Sequence, residues 1–500
     1  MPRRNPLAFI PSLILAAGLA ACGSSSAPSG TAGGGGSGSL PAADDAPETG
    51  MQGQVPLTDQ LNGRSANGYR KGLKLVGQNT IMDRGANFGL AWIGDCAYVT
   101  TTSAAQLIGA SSTSGLPLNS PLNGMAVIDA ADPKNPKLVS ILQSPAMLQP
   151  HESLQASESR KVIVATQSMG TILDVYDASD CRHPVLKATL QIAPQISVGG
   201  LNEGLTFRGH AMCLSRDGMT AYATTTIAYI NNAAIDLSDL SNPKVVKRFG
   251  PAAHDCGVSP DGNRLYLAPF GPGGTPLLPN GMYILDSSDF QRRVAAPEFR
   301  TVGQINWTPF GEGQAVTSGS HTARLFRQGN RSYVFSSDEW PVDLPCPWGH
   351  GRIIDVTDET NPVKISDITL EVQQTGNCLS SQLDIANYSS HYVGFDDENN
   401  ATVLFTTNYA SGLRVWDIRD PANPHEIAYW MPKPVGGTAL LSTGMQVALA
   451  NGTRWDSVGT YVRYRPEKGH VWIAGYTSGF QILQFTESAG PTAPRPRGRR

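Results

Sequence analysis

Five of the nine histidines stand at a recurring place in the chain. His151, His210, His254, His321 and His391 each open a short segment rich in apolar and β-branched residues, at spacings of about 45–70 residues. Imidazole is the commonest protein ligand for transition metals. Several imidazoles directed at one axis could hold Cu, Fe or Zn, with nitrogen at about 2.0–2.2 Å from the ion. Acids stand close to three of them in sequence or in expected space: Glu152 follows His151, Asp255 follows His254, and Asp338-Glu339 ends the segment paired with that of His321. The expected ligand set is His151, His210, His254, His321, His391 and Glu339. Asp255, Asp338 and Glu152 are expected to orient ligating rings from behind. The same five positions also suit a purely architectural role, in which each imidazole bonds to the neighbouring repeat. No Gly-x-Ser-x-Gly elbow, P-loop or dinucleotide fingerprint occurs in a suitable context.

The elements that must position these residues come from a repeat. Val127–Leu142 reads VIDAADPKNPKLVSIL, Ile353–Ile368 reads IIDVTDETNPVKISDI and Val415–Trp430 reads VWDIRDPANPHEIAYW. Weaker copies are Val175–Leu190, Ala234–Phe249 and Ile284–Phe299, the last without prolines in register. In each, β-formers lead into a turn whose Asp side chains can accept backbone N–H groups two residues on, and a second strand leads out. Upstream of the copies lie further hairpins closed by Ser-Arg-Asp-Gly, Ser-Pro-Asp-Gly or Gln-Gly-Asn. Four antiparallel strands per repeat predict an all-β fold, a seven-bladed β-propeller of four-stranded antiparallel blades. The last blade lacks a fourth strand, and Leu73–Gly77 resembles the outer strand of the first copy, so an N-terminal strand is expected to close the ring.

This register places the histidines at one face, the top, together with the long connections Thr102–Asn123, Gln191–Gly209, Thr301–Ser320, Glu371–Ser390 and Met431–Thr460. Long loops on a rigid scaffold are where binding and chemistry concentrate. Their aromatics Trp307, Phe310, Trp340, Trp348, Tyr388, Tyr409 and Trp455 could stack on sugars or grip a partner, or plug gaps between blades. Six cysteines remain after Cys22, and placement suggests Cys96–Cys181, Cys213–Cys256 and Cys346–Cys378 as disulfides. Cys96 and Cys181 fall in bottom turns of adjacent blades. Cys213 and Cys256 have opposite parity on adjacent inner strands, and Cys346 and Cys378 fall in top loops.

The termini read as addresses and linkers. Arg3 and Arg4 precede an apolar run from Leu7 to Ala21, and residues 1–21 fit a secretory signal. Leu19-Ala20-Ala21-Cys22 resembles the bacterial lipobox, which implies lipidation of Cys22; an ordinary signal peptide is the alternative. Residues 22–58 are rich in Gly, Ser and Pro and are expected to form a flexible tether. The propeller is expected over 59–487 and a disordered basic tail over 488–500. A net charge of −3 gives no support to a nucleic-acid partner.

The Asp-x-x-Asp-Pro-x-Asn-Pro unit between apolar strands, with His-led inner strands, resembles the LVIVD-repeat propellers of bacterial envelope proteins over roughly Leu73–Thr486. That resemblance implies a lipid-anchored propeller of the cell envelope, at the outer membrane or cell surface, whose top face binds a protein, glycan or small ligand. His254-Asp255 followed by Val258-Ser-Pro-Asp-Gly-Asn-Arg-Leu-Tyr-Leu is similar to a segment of the selenium-binding/methanethiol oxidase propellers, and carotenoid oxygenases also hold iron with inner-strand histidines. Those likenesses imply the alternative function, a Cu- or Fe-dependent oxidoreductase.

Overall fold

The computed structural model describes residues 44–102, 119–198, 201–204, 207–225, 232–275, 278–306, 319–339, 348–377, 387–436, 454–486 and 490. Cys22, Cys346, Cys378, Trp307, Phe310 and Trp340 lie outside them, as do the signal segment and nearly all of the basic tail. Seven antiparallel sheets succeed one another around a ring, each a blade of four strands counted outward from the axis. The innermost strands are Asn87–Ile93, Gln155–Ser157, Met212–Leu214, Asp255–Val258, Gly319–Gln328, Val393–Phe395 and Arg463–Arg465. Blade one continues through Cys96–Thr101, Met125–Asp129 and Lys137–Leu142, and the others repeat that order.

The repeated motif makes the outer half of each blade by one mechanism. Its first Asp accepts the backbone N–H two residues on at 2.8–3.0 Å in all six copies: Asp129, Asp177, Asp236, Asp286, Asp355 and Asp417. These Asx turns fold the chain back without using ladder groups. The second Asp repeats the bond at Asp132, Asp180, Asp239, Asp358 and Asp420. A register shift follows in the third-to-fourth strand pairing of every blade, for example between Val127 and Ile128 and between Val415 and Trp416. Such bulges sharpen the twist that lets blades stack face to face. The Ile284 copy departs as its missing prolines foretold. A short helix, Ser288–Gln291, replaces the turn, and the outer strand is displaced to Arg300–Asn306, taking up the start of the expected Thr301–Ser320 loop.

Leu73–Asn79 pairs antiparallel with Gly479–Phe485 and completes blade seven, so the ring closes with a strand from the N-terminal side. Tyr69–Lys71, just before it, adds a fifth strand to blade six. Residues 44–58, read from composition as the end of the tether, are packed instead. Ala46 bridges Arg70, Val55 is buried with its N–H on the Tyr388 hydroxyl, and Glu48 and Glu426 flank the buried guanidinium of Arg414. Two disulfides are present as expected: Cys96–Cys181 joins blades one and two, and Cys213–Cys256 joins the inner strands of blades three and four. Among the described residues no helix is long and apolar enough to cross a membrane.

Candidate metal centre

Four histidines of the ring are fixed through their backbones. The N–H groups of His210, His254 and His391 bond to the carbonyls of Thr224, Ala268 and Thr407, at the end of the second strand of their own blades. Their neighbours hold them from the other side. The Thr100 hydroxyl donates to the His151 carbonyl at 2.6 Å, Thr224 to His254 at 2.6 Å, and Ser337 to His391 at 2.7 Å, each across a blade boundary. A Thr or Ser hydroxyl against a backbone carbonyl therefore locks blade to blade at these positions. The imidazoles are left to turn toward the axis. His391 also uses its ring in an inter-blade bond, from Nδ1 to the Gly459 carbonyl at 2.5 Å.

All five rings converge. Neighbouring centroids are 5.6 Å apart for His151–His210, 4.2 Å for His210–His254, 3.9 Å for His254–His321 and 4.0 Å for His321–His391. At the centre stands the Glu152 carboxylate. Its oxygens are 3.3 Å from His151 Nε2, 3.5 Å from His210, 3.4 Å from His254, 3.5 Å from His321 and 3.1 Å from His391. Glu339 approaches from blade five, 3.6 Å from His254 Nε2, 3.9 Å from His321 and 3.7 Å from His391. With metal–ligand bonds of about 2.0–2.2 Å, two donors on a tetrahedral ion lie about 3.3–3.6 Å apart. The observed separations fall around that spacing, and three overlapping groups have one donor atom per residue within 4.8 Å of the others: His151/Glu152/His210, Glu152/His254/His321 and His321/Glu339/His391.

The acids are distributed differently from the sequence expectation. Glu152, assigned to support the ligands, is the central carboxylate. It follows His151, whose backbone is left-handed at φ 47°, and that turn carries Glu152 inward ahead of the inner strand. Asp338 turns away from the rings to the buried guanidinium of Arg352, at 2.8 Å. Asp255 forms a layer with blades five and seven, accepting from Thr322 at 2.9 Å, Arg324 at 3.1 Å and the Tyr461 hydroxyl at 2.6 Å. Neither orients a ring through a contact seen here. The residues that sequence reasoning missed as part of the cluster are tyrosines and a phenylalanine. Tyr392 donates to Glu152 Oε2 at 3.1 Å, Tyr409 donates to Glu339, and Phe88, at the blade-one counterpart of the histidine position, stacks on His151 at 4.1 Å. In the sequence, Tyr409 reads only as a top-loop aromatic. It and the other described members of that group, Trp348, Tyr388 and Trp455, are buried between blades.

Electrostatics favour neutral imidazoles at most of these positions. Burial pushes His321 down to about 3, with His391 adding to the depression. Burial and the neighbouring His321 and His210 hold His254 well below the ordinary histidine range. Burial also lowers His151, against the pull of Glu152. His391 is raised: burial opposes its charge, but Glu152 and Glu339 outweigh it. For Glu152, burial alone would raise the carboxyl, yet His254, His391 and His151 keep it well below the usual carboxylate range. Glu339 goes up, driven by burial and by Glu152, with His391 opposing.

Hydrogen atoms do not satisfy the cluster easily. A carbonyl only accepts, so His391 Nδ1 carries hydrogen and a neutral His391 turns its Nε2 lone pair toward Glu152. His210 and His254 face each other through Nε2 at 2.8 Å. Buried Nδ1 of His151 and His210, and both nitrogens of His321, have no hydrogen-bond partner among the described residues. Five Nε2 atoms gathered around a carboxylate held ionised fit a cation at that point. On the opposite side of the disc, a cavity of about 690 Å³ opens at the bottom mouth of the channel, lined by the lower ends of inner strands and by Arg324 and Tyr461.

No family model matches the chain, and no curated protein matches it. Solved structures align with much of the chain. Hydrazine synthase of Kuenenia stuttgartiensis is 12% identical, with 81% of this chain and 97% of that chain covered and a TM-score of 0.49. A protein of Lactobacillus plantarum is 13% identical, with 69% and 88% covered and a TM-score of 0.46. The periplasmic gluconolactonase of Pseudomonas aeruginosa is 12% identical, with 72% and 86% covered and a TM-score of 0.46.

Proposed function

We propose that this propeller is an exported metal-dependent oxidoreductase whose metal is held at the top of the channel by the His151, His210, His254, His321 and His391 ring with Glu152 and Glu339. The observation that carries the reading is the convergence of five Nε2 atoms on a buried carboxylate, at separations suited to shared coordination. An architectural role for the rings draws less support, because Thr and Ser hydroxyls already lock the blades at three of the five positions. Imidazole and carboxylate donors without thiolate suit iron best among the redox metals, with copper and zinc as the other candidates. Such an ion, when bound, supplies one-electron or Lewis-acid chemistry. Around it the chain's own residues set the environment. Tyr392 and Tyr409 hold the two carboxylates in place, and Phe88 covers His151.

The rest of the proposal concerns place and partners. The two disulfides support an oxidising, exported compartment. Lipidation at Cys22 would anchor the propeller to the membrane at the outer membrane or cell surface. A small-molecule substrate then takes the place of a protein or glycan partner, since the described top aromatics are buried and offer no contact surface. Elemental analysis of the tag-free mature protein tests the reading. Near-stoichiometric Fe, Cu or Zn is expected, lost in a His254→Ala/His321→Ala variant that keeps its β-rich circular dichroism. Absence of any bound metal after reconstitution with each ion would sink it.

A further inference from the structure

We infer that the cluster is built for two metal ions rather than one, with Glu152 and Glu339 both bridging them. The inference rests on the metal-centre reading above. The number of donors is the first argument. Five imidazoles and two carboxylates exceed what one transition-metal ion takes in four- to six-coordinate geometry, by about one to three groups. Surplus donors alone could be supporting residues, so the second argument is how they are divided.

Glu152 offers its two oxygens to different sets of rings. Oε1 is the nearer oxygen to His151, at 3.3 Å, and to His391, at 3.1 Å. Oε2 is the nearer to His210, His254 and His321, at 3.5, 3.4 and 3.5 Å. Glu339 comes from the end of a strand in blade five, across the ring from Glu152, and it draws the same line. Its Oε1 is nearer His391, at 3.7 Å, and its Oε2 is nearer His254 and His321, at 3.6 and 3.9 Å. Glu152 therefore gives one oxygen to His151 and His391 and the other to His210, His254 and His321, and Glu339 separates His391 from His254 and His321 in the same way. Two carboxylates of independent origin have no reason to agree on this partition around a single ion. Around a carboxylate-bridged pair, with ions about 3.5–4 Å apart, the agreement follows. The substrate class is then narrowed to small molecules that two adjacent ions can contact or oxidise together.

Metal counting decides the matter. The intact mature protein, stripped with chelator, is titrated with Zn²⁺ against a competing indicator and, separately, loaded with Cu²⁺ for electron paramagnetic resonance. Two equivalents per chain and a spin-coupled Cu²⁺ signal are expected. One equivalent with the spectrum of an isolated Cu²⁺ overturns the two-ion inference and leaves the metal-centre reading standing. No bound metal overturns both. His151→Ala, at a partly exposed edge of the cluster, should retain the three-histidine set, fall to one equivalent and lose the coupling. Glu339→Gln should keep the fold and weaken the coupling by removing one bridge. Two coupled ions persisting in His151→Ala would overturn the assigned division.

Discussion

Gly257→Ala tests whether blade packing sets the spacing of the metal ligands. Gly257 lies in the inner strand of blade four, three residues after His254, against the inner strand of blade five. A Cβ built there would meet the carbonyl oxygen of Ala323 at 2.2 Å, with the Ala323 carbonyl carbon at 3.3 Å and Arg324 Cα at 3.4 Å. Carbon–oxygen contacts relax to about 3.3 Å, so the two strands must part by roughly 1 Å. The obstacle is backbone on both sides, so no side chain can swing away. Overpacking of this kind costs about 1–3 kcal/mol or more. Ala323 is two residues after His321, so the same displacement pulls His254 and His321 apart from their 3.9 Å ring contact. Misplacing ligands by about 1 Å is expected to weaken metal binding by about 10–100-fold. Thermal unfolding and a competitive metal titration measure the two effects. Gly436→Ala is the control, since nothing lies within 4 Å of its Cβ position. A variant that loses stability but binds metal as tightly as the parent would refute the positioning argument, and one unchanged in both would refute the packing itself.

Two further outcomes follow. The metal-free protein should lose thermal stability as pH falls from about 6.5, the unfolded histidine value, toward the value of about 3 reached by His321. The sign follows from linkage: His151, His254 and His321 are depressed in the fold, so the unfolded chain binds more protons throughout that window. Within the cluster, His391 and Glu339 are raised and act oppositely, two groups against these three histidines and the depressed Glu152. Unfolding of chelated protein followed between pH 7.5 and 4.5 checks this, and a flat or rising midpoint would contradict it. Replacing Cys213 and Cys256 together by Ser opens a cross-link with a sequence separation of 43, and chain entropy sets its loss at about 4 kcal/mol. Chemical denaturation of the variant reads this directly, and an unchanged midpoint would contradict the estimate.

The scaffold was legible because its signals are local. Asx turns, prolines and apolar strands recur at fixed offsets, and each depends on a few neighbouring residues. The two inter-blade disulfides were legible for a related reason: once the strand register is known, parity and turn position suffice. Glu152 was undervalued because its inward direction depends on the left-handed backbone of His151, which no residue type in that stretch announces. His254-Asp255 has the same appearance in sequence, yet Asp255 bonds to Tyr461 and Arg324 from two other blades. Contacts across the channel join residues hundreds of positions apart, such as Glu152 and Tyr392, and no periodicity encodes them. The one available hint was that only His151 among the five is followed by Glu.

The two carboxylates are what separate a functional ring from a decorative one. Seven-fold architecture can repeat a histidine without purpose beyond packing, and blades one and seven show that the position tolerates other residues, Phe88 among them. A buried carboxylate is different, because an unpaired one costs several kcal/mol. Glu152 and Glu339 are both buried, and among the described residues neither forms an ion pair with Lys or Arg. Their charge must be met by protons, on imidazoles or on the raised Glu339 carboxyl itself, or by a cation. Burial drives three of the rings toward neutrality, so His391 is the ring that the acids hold protonated, and its raised pKa marks that compensation. Metal binding would have to displace that proton, since Nδ1 already donates to Gly459 and Nε2 is the only lone pair His391 can give. The metal-free site thus offsets one carboxylate through His391 and relieves the other through the upward shift of Glu339, and loading exchanges those protons for cations.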